Sequence, residues 1–220
     1  MSITVKNVKA DPEVRIYIQR GHEHLGAVGF TEHGFRHANL VSDIARNIML
    51  RLGHDDRAAE LAAIAGYLHD MGNVVSRYAH GQSGAILAWH ILRRLGMPPA
   101  EVAEVIAAIG NHEEEYGQPV NDVAAALILA DKSDVHRSRV RNPEKSSFDI
   151  HDRVNYAVER SFVRVDGEAR LVCLELTIDT KISPVMDYFE IFLSRMVMCR
   201  RAAKRLKALF SLVINDVKLL

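Results

Sequence analysis

Residues 68–73 read Leu68-His69-Asp70-Met71-Gly72-Asn73. They end a run in which Leu61, Ile64, Ala65 and Leu68 recur at the spacing of one helical face. His69 follows Leu61 and Ala65 at the same four-residue step, so an imidazole arrives on the buried stripe with a carboxylate, Asp70, beside it. An ionised carboxylate in apolar surroundings is costly unless it is paired or bound to a metal. The pair therefore demands a partner, and that partner must come from elsewhere in the chain.

The same anomaly recurs on the neighbouring segments. Thr31 is a candidate cap for a helix with Leu40, Val41, Ile44 and Ile48 on one face and a stop at Gly53. His37 lies on its stripe. After the helix that opens at Asp55 or Asp56, a third runs from His80 to Leu95 and stops at Gly96. His80 leads its Gly84, Leu87 and Ile91. Pro98 and Pro99 open a fourth, with Val102, Val105, Ile106 and Ile109 inside and His112 following them. A fifth, Val120 to Ser133, carries Asp131 after Ala124, Leu127 and Ile128. One such histidine reads as a satisfied core residue. Five segments in order, each with a His or Asp on its apolar face, point to a shared cation. Imidazoles with carboxylates suit Mn, Fe, Co, Ni or Zn.

The bulk numbers are those of a globular domain: 220 residues, 48% hydrophobic, 25% charged and a formal net charge of zero. Zero charge gives no global pull toward a nucleic-acid polymer or an anionic membrane. Cys173 and Cys199 form no Cys-x-x-Cys pair, the N-terminus lacks a signal-peptide pattern, and no stretch is long enough for a membrane span. The expectation is a reduced, soluble, cytoplasmic protein. Residues 1–30 read as an N-terminal arm (a short strand or extended segment over 1–10) and a helix. Residues 31–142 read as the metal-binding helical core, and 143–220 as a C-terminal extension packed on it. That extension holds a short helix at Asp149 to Val158. A hairpin of Ser161 to Val165 and Arg170 to Ile178 follows, about Asp166-Gly167, and a long helix runs from Ser183-Pro184 to about Val217. The long helix sets Arg195, Arg200, Arg201, Lys204, Arg205 and Lys207 against Phe189, Phe192, Leu193, Met196, Leu206 and Phe210. It reads either as a core-packed helix with a solvated cationic face or as a homodimer contact or clamp over an anionic substrate.

The ordered set His37, His69-Asp70 and Asp131 resembles the HD-domain superfamily of metal-dependent phosphohydrolases over about Thr31 to Arg141. The segment HGQSGAIL, residues 80–87, looks like the His-x-x-x-Gly segment that supplies an extra ligand in dinuclear members. NHEEEYGQP, residues 111–119, looks like a degenerate form of the HD-GYP segment. LADKSDVHRSRVR, residues 129–141, resembles the ligand Asp followed by a basic, phosphate-facing segment. The resemblance implies a mostly α fold, an HD-domain helical bundle with a small C-terminal β-hairpin and a long closing helix. It also implies two divalent transition-metal ions held by His37, His69, Asp70, His80, His112 and Asp131, with Asp70 as the bridge and Asp70 and His69 at the catalytic centre. Asn111 stands where HD-GYP members have a second His, and Asn73 where they have Lys. The Asp70–His80 loop is short and the Gly-Tyr-Pro spacing is incomplete. The expectation is therefore a hydrolase of a nucleotide, dinucleotide or similar small phosphorylated substrate rather than a cyclic di-GMP phosphodiesterase.

Two ions about 3.5–4 Å apart can share a bridging hydroxide that attacks phosphorus. Lys132, Arg137, Arg139 and Arg141 are the candidate cations for the phosphates, or else a solvated helix end, and Asn73 is a donor to substrate or water or a shaper of its turn. If that basic run is helical, Arg137 and Arg141 share a face and Arg139 points elsewhere. His33, one turn before His37, is a further ligand, a proton carrier or an exposed helix-start residue. His22, His24, His54, His136 and His151 have no partner pattern. Two other functions fit the same residues: a mixed-valent di-iron oxygenase of this superfamily, with the same ligand order, and a non-catalytic nucleotide-binding sensor.

Overall fold

A computed structural model describes residues 2–220; residue 1 of the expected arm lies outside them. The segment expected as a strand or arm is instead helix α1, Val5–Ala10. Thr4 and Asn7 form a reciprocal capping box, with Thr4 N donating to Asn7 Oδ1 at 2.9 Å, and that local pairing favours a helix over an extended arm. Asp11 then caps α2, Pro12–Ala27, by accepting from Glu13 N and Val14 N. Helix α3, Phe35–Arg51, is capped by Gly34 rather than Thr31. Glu32 Oε1 holds the Gly34 amide at 2.6 Å, so the chain stays extended past Thr31 before it turns.

Helix α4, Asp56–Leu68, is buried along its whole length from Ala59 to Leu68. Its Ala-rich sequence lets neighbours approach from every side. At Gly66 a Cβ would stand 2.8 Å from Ser42 Cα, which shows how tightly α3 crosses it. Helices α5 (His80–Arg94), α6 (Pro99–Gly110) and α7 (Asp122–Lys132) complete the bundle, and α7 is buried from Val123 to Ala130. The α3 stripe is rotated from the sequence reading: Val41, Ala45 and Ile48 are fully buried while Leu40 is exposed.

Beyond residue 142, α8 (Ile150–Ala157) leads into a sheet of β1 (Val158–Asp166), β2 (Leu171–Ile178), β3 (Leu209–Ile214) and β4 (Val217–Lys218), in that spatial order. The expected hairpin is β1 and β2, paired antiparallel. The closing helix α9, Val185–Arg205, ends about twelve residues before the expected Val217. Lys207 takes a positive φ of 55°, and Arg170 donates to the carbonyl oxygens of Lys207 and Leu206 at the helix end. The alternating stretch Leu209–Ile214 then enters parallel to β2, so β2 becomes an inner strand. Phe210, expected on the helix face, is a strand residue. Leu193, also expected inside, is exposed. Helix α9 packs on α7 through Tyr188, Phe192, Met196, Cys199 and Ala203. Cys173 and Cys199 are buried free thiols, and among the described residues no helix is long and apolar enough to cross a membrane.

Candidate metal centre

Six side chains from five helical segments converge at one end of the bundle. His37 projects from the first turn of α3, His69 caps the end of α4, and Asp70 follows it. His80 opens α5, His112 follows α6, and Asp131 sits in the last turn of α7. A tight 3-10 turn, Met71–Val74, lets the chain go from Asp70 to His80 in ten residues. Gly72 makes this feasible: a Cβ there would lie 2.0 Å from His80 O, so the turn rests directly on the start of α5.

All four imidazoles are held by their Nδ1 atoms. His37 Nδ1 donates to Asp134 Oδ2 at 2.7 Å, His69 Nδ1 to Gly66 O at 2.8 Å and His112 Nδ1 to Ile109 O at 2.7 Å. His80 Nδ1 donates to Arg77 O at 3.0 Å, with Glu113 Oε2 at 3.2 Å. With the protons placed there, each Nε2 lone pair points inward. His37 Nε2 and His69 Nε2 are 3.1 Å apart, as are His80 Nε2 and His112 Nε2. Facing lone pairs repel at that distance unless a cation draws them together.

The carboxylates complete the arrangement. Asp70 Oδ2 lies 3.5 Å from both His37 Nε2 and His69 Nε2, and Asp70 Oδ1 lies 3.3 Å from His80 Nε2. Asp131 Oδ1 lies 3.4 Å from His37 Nε2 and 3.6 Å from His69 Nε2. Asp70 Oδ2 is buried without a hydrogen-bond partner. Three overlapping groups could hold a metal ion: His37, His69 and Asp70; His69, His112 and Asp131; Asp70, His80 and His112. An orphaned carboxylate oxygen amid converging lone pairs fits a divalent cation.

Surrounding charges tune the cluster. Burial opposes the charge on both Asp70 and Asp131, yet neighbouring His69 beside the first and Lys132 beside the second hold them well below the usual carboxylate range. For His80, burial disfavours protonation, but Asp70 and Glu113 raise its pKa to about 9. His112 is pushed down to about 3 by burial and by His80 and His69. Lys132 Nζ lies 2.7 Å from Asp131 Oδ2 and 3.2 Å from Glu114 Oε1, and Arg195 Nε reaches the same Glu114 oxygen at 2.7 Å. Between these two cations, and against its burial, Glu114 falls to about 2.

The other expected contacts are more dispersed. Asn73 Nδ2 donates to Asp70 O at 2.9 Å and Asp70 Oδ1 at 3.0 Å, so it shapes the turn and holds the carboxylate. The basic run is helical only as a 3-10 turn, Arg137–Arg139, followed by extended Val140. Arg137 pairs with Glu159 at 3.1 Å, and Arg141 Nη2 donates to His22 Nδ1 at 2.7 Å. Arg139, expected to point elsewhere, is buried beside the cluster. It donates to Asp134 O, Glu32 O and His33 Nε2. His33 is half-buried, with its other nitrogen on Thr31 O at 2.7 Å; both ring atoms are occupied outside the three groups able to hold a metal.

A cavity of about 320 Å³, within the usual range for small-molecule sites, is lined by none of the six clustered side chains but adjoins them through Arg77, 3.5 Å from His80, and His33, whose ring centroid is 5.6 Å from that of His37. Phe30, His33, Arg77, Arg139, Phe192 and Arg195 contribute to its walls, with Asp149, Asp152 and Asn155 of the α8 region on it as well. Sequence reasoning missed Asp134, Glu113 and Arg77. Asp134 sits three residues after Asp131, and that i+3 step past a buried Asp was the available signal. Nothing local marks Arg77, because its importance depends on where its loop lies.

Comparisons with known proteins identify the family. The HD domain model matches residues 34–190, which include all six clustered side chains. An uncharacterized protein of Methanocaldococcus jannaschii is 25% identical over 179 residues, covering 71% of this chain and 68% of that protein. Ribonuclease Y of Lawsonia intracellularis is 29% identical over 102 residues, covering 46% of this chain but only 18% of that protein. A crystal structure of a predicted HD superfamily hydrolase from an uncultured Thermotogales bacterium shares 26% identity. It covers 56% of this chain and 67% of its own, with a TM-score of 0.45. With the family match spanning more than half its length and a buried His/Asp cluster able to hold a metal, the chain belongs to the HD-domain family, at the superfamily level a family of metal-dependent hydrolases.

Proposed function

We propose that this protein is a metal-dependent phosphohydrolase acting on a small phosphorylated metabolite, a nucleotide or dinucleotide, through two divalent transition-metal ions. The observation that carries this reading is the orientation of Asp70. Its Oδ2 faces His37 and His69, and its Oδ1 faces His80. One carboxylate thus addresses two groups of imidazoles, as a bridging ligand must. Asp131 would join the first group and His112 the second. When bound, such ions supply a water acidic enough to ionise near neutral pH and neutralise charge on the phosphoryl oxygens.

The chain's own residues prepare that chemistry. Lys132 occupies Asp131 Oδ2, which leaves Oδ1 as the inward-facing oxygen. Asp134 fixes the His37 ring, and backbone carbonyls fix the other three. The cavity supplies aromatic surface from Phe30 and Phe192 and cationic surface from its arginines, a combination suited to a base and a phosphate.

The test is metal content per chain followed by a screen of nucleotides and dinucleotides for released inorganic phosphate or mononucleotide. Two Mn, Co, Ni or Zn per chain, with metal-dependent hydrolysis that Asp70→Asn abolishes, is the expected result. Metal-loaded protein that hydrolyses none of them, or two Fe with oxygen consumption instead, would overturn the proposal.

A further inference from the structure

Arg77 lies in the loop between Asp70 and His80, and its guanidinium is the nearest side-chain cation to His80: Arg77 Nη1 is 3.5 Å from His80 Nε2. It lines the cavity and lies over the Phe30 ring at 5.5 Å. The other arginines of that wall are committed. Arg195 is held by Glu114, and Arg139 by two backbone carbonyls and His33. Arg77 makes no ion pair with any carboxylate among the described residues. Its one polar side-chain neighbour is His80 Nε2.

That nitrogen belongs to the candidate metal cluster. A proton or a bound cation occupies its lone pair, and either leaves the half-buried guanidinium without an acceptor. An anion entering the cavity supplies one. Of the cations expected from sequence to face phosphate, Lys132 is held by Asp131 and Glu114, and Arg137 and Arg141 are turned to Glu159 and His22. Asn73, expected from sequence as a donor to substrate, is engaged with Asp70.

We propose that Arg77 is the phosphate-binding cation of this site, presented to the cavity from the short Asp70–His80 loop. The inference rests on the phosphohydrolase reading above. A planar guanidinium can take two phosphoryl oxygens at once, while Phe30 restricts its swing. The backbone carbonyl of residue 77, which orients His80, survives any substitution, so the two roles of this residue separate cleanly.

The experiment is calorimetric titration of inorganic phosphate into zinc-loaded wild type, Arg77→Ala and Arg77→Lys, with metal content and circular dichroism of each. Wild type is expected to bind phosphate, Arg77→Ala about ten-fold or more weakly with unchanged zinc content, and Arg77→Lys in between. Equal phosphate affinity in wild type and Arg77→Ala would refute the role of Arg77 and leave the phosphohydrolase reading standing. Loss of zinc in folded Arg77→Ala would also refute it, by making Arg77 a support for His80. Should zinc-loaded wild type neither bind phosphate nor hydrolyse any nucleotide or dinucleotide, the functional reading falls and takes this inference with it.

Discussion

Replacing Asp134 is the sharpest probe of how the metal centre is built. The residue is 2% exposed. Its carboxylate accepts His37 Nδ1–H at 2.7 Å and two bonds from Arg36 at 3.2 and 2.7 Å, with Arg139 Nε at 3.7 Å. Asp134→Asn keeps an oxygen for His37 but removes the charge that makes its imidazole a stronger donor to a metal. Loss of such a supporting contact costs about 10- to 100-fold in metal affinity, or about 1.4–2.8 kcal/mol. Removing one member of a buried ion pair costs about 3–5 kcal/mol of stability. Here Arg36 is partly exposed and can rehydrate, and Arg139 keeps its carbonyl partners, so about 2–3 kcal/mol is expected for the metal-free protein.

The acid dependence of that loss follows from the same contacts. Burial works against the charge of Asp134, but Arg139, His37 and Arg36 hold its carboxyl well below the usual carboxylate range. A carboxylate depressed on folding contributes stability above its unfolded pKa of about 4 and loses it as pH falls through the lower folded value. The carboxyl's own share of the gap between wild type and Asp134→Asn should therefore persist from about pH 5 upward and close only in strong acid, while the share carried by protonated His37, whose pKa Asp134 helps to raise against burial, shrinks as pH climbs through that raised value. Chelator competition gives the affinity, and urea unfolding of metal-free protein across that pH range gives the stability. A folded Asp134→Asn protein with wild-type metal affinity would refute the argument, because the His37 ring would then be fixed by something else.

Other consequences are as direct. Asp70→Ala should abolish metal binding and leave the metal-free protein folded but less stable at neutral pH, since it removes the unpartnered Oδ2 together with the Oδ1 that holds Asn73 and faces His80; differential scanning calorimetry with metal analysis checks both. In metal-free protein His80 has its pKa raised to about 9, so it is charged at neutral pH, and it stabilises the fold below its unfolded pKa of about 6.5 and loses that contribution as pH rises through 9. Metal must displace that proton, so affinity should climb with pH up to about 9 and pH-stat titration should record proton release at pH 7; pH-independent affinity would contradict the assignment. His80→Ala should bind one metal per chain in place of two, read by elemental analysis. Gly66→Ala drives a Cβ to 2.8 Å from Ser42 Cα and should cost about 1–3 kcal/mol of stability, measured by urea unfolding; a neutral result would mean α3 and α4 can slide apart.

Local patterning made much of this molecule legible. The helical rhythm marked α3 to α7, Gly53 and Gly96 marked their stops with positive φ, and Asp166-Gly167 marked the hairpin. The same rhythm put His37, His69, His80, His112 and Asp131 on inward faces, because burial on a helix repeats every 3.6 residues whatever the residue's chemistry. It could not follow α9 to its end, where Arg170 reaches over from a residue 36 positions away to hold the Leu206 carbonyl and β3 pairs with a strand made much earlier. Nor could it separate Arg139 from Arg137 and Arg141: their environments are set by Glu32, Glu159 and His22, none of them a helical neighbour. The facing of Asp70 toward two imidazole groups is likewise tertiary, fixed by how the Met71–Val74 turn settles on α5 over Gly72. The sequence by itself determined most of the inward-facing positions of α3 to α7, the histidines among them, since those follow from period and polarity, but not the exposure of Leu40 and Leu193 or the burial of Arg139. Only the folded structure decided which of them meet and which cavity arginine has no carboxylate partner among the described residues, because contact across elements depends on crossing geometry that no local period encodes.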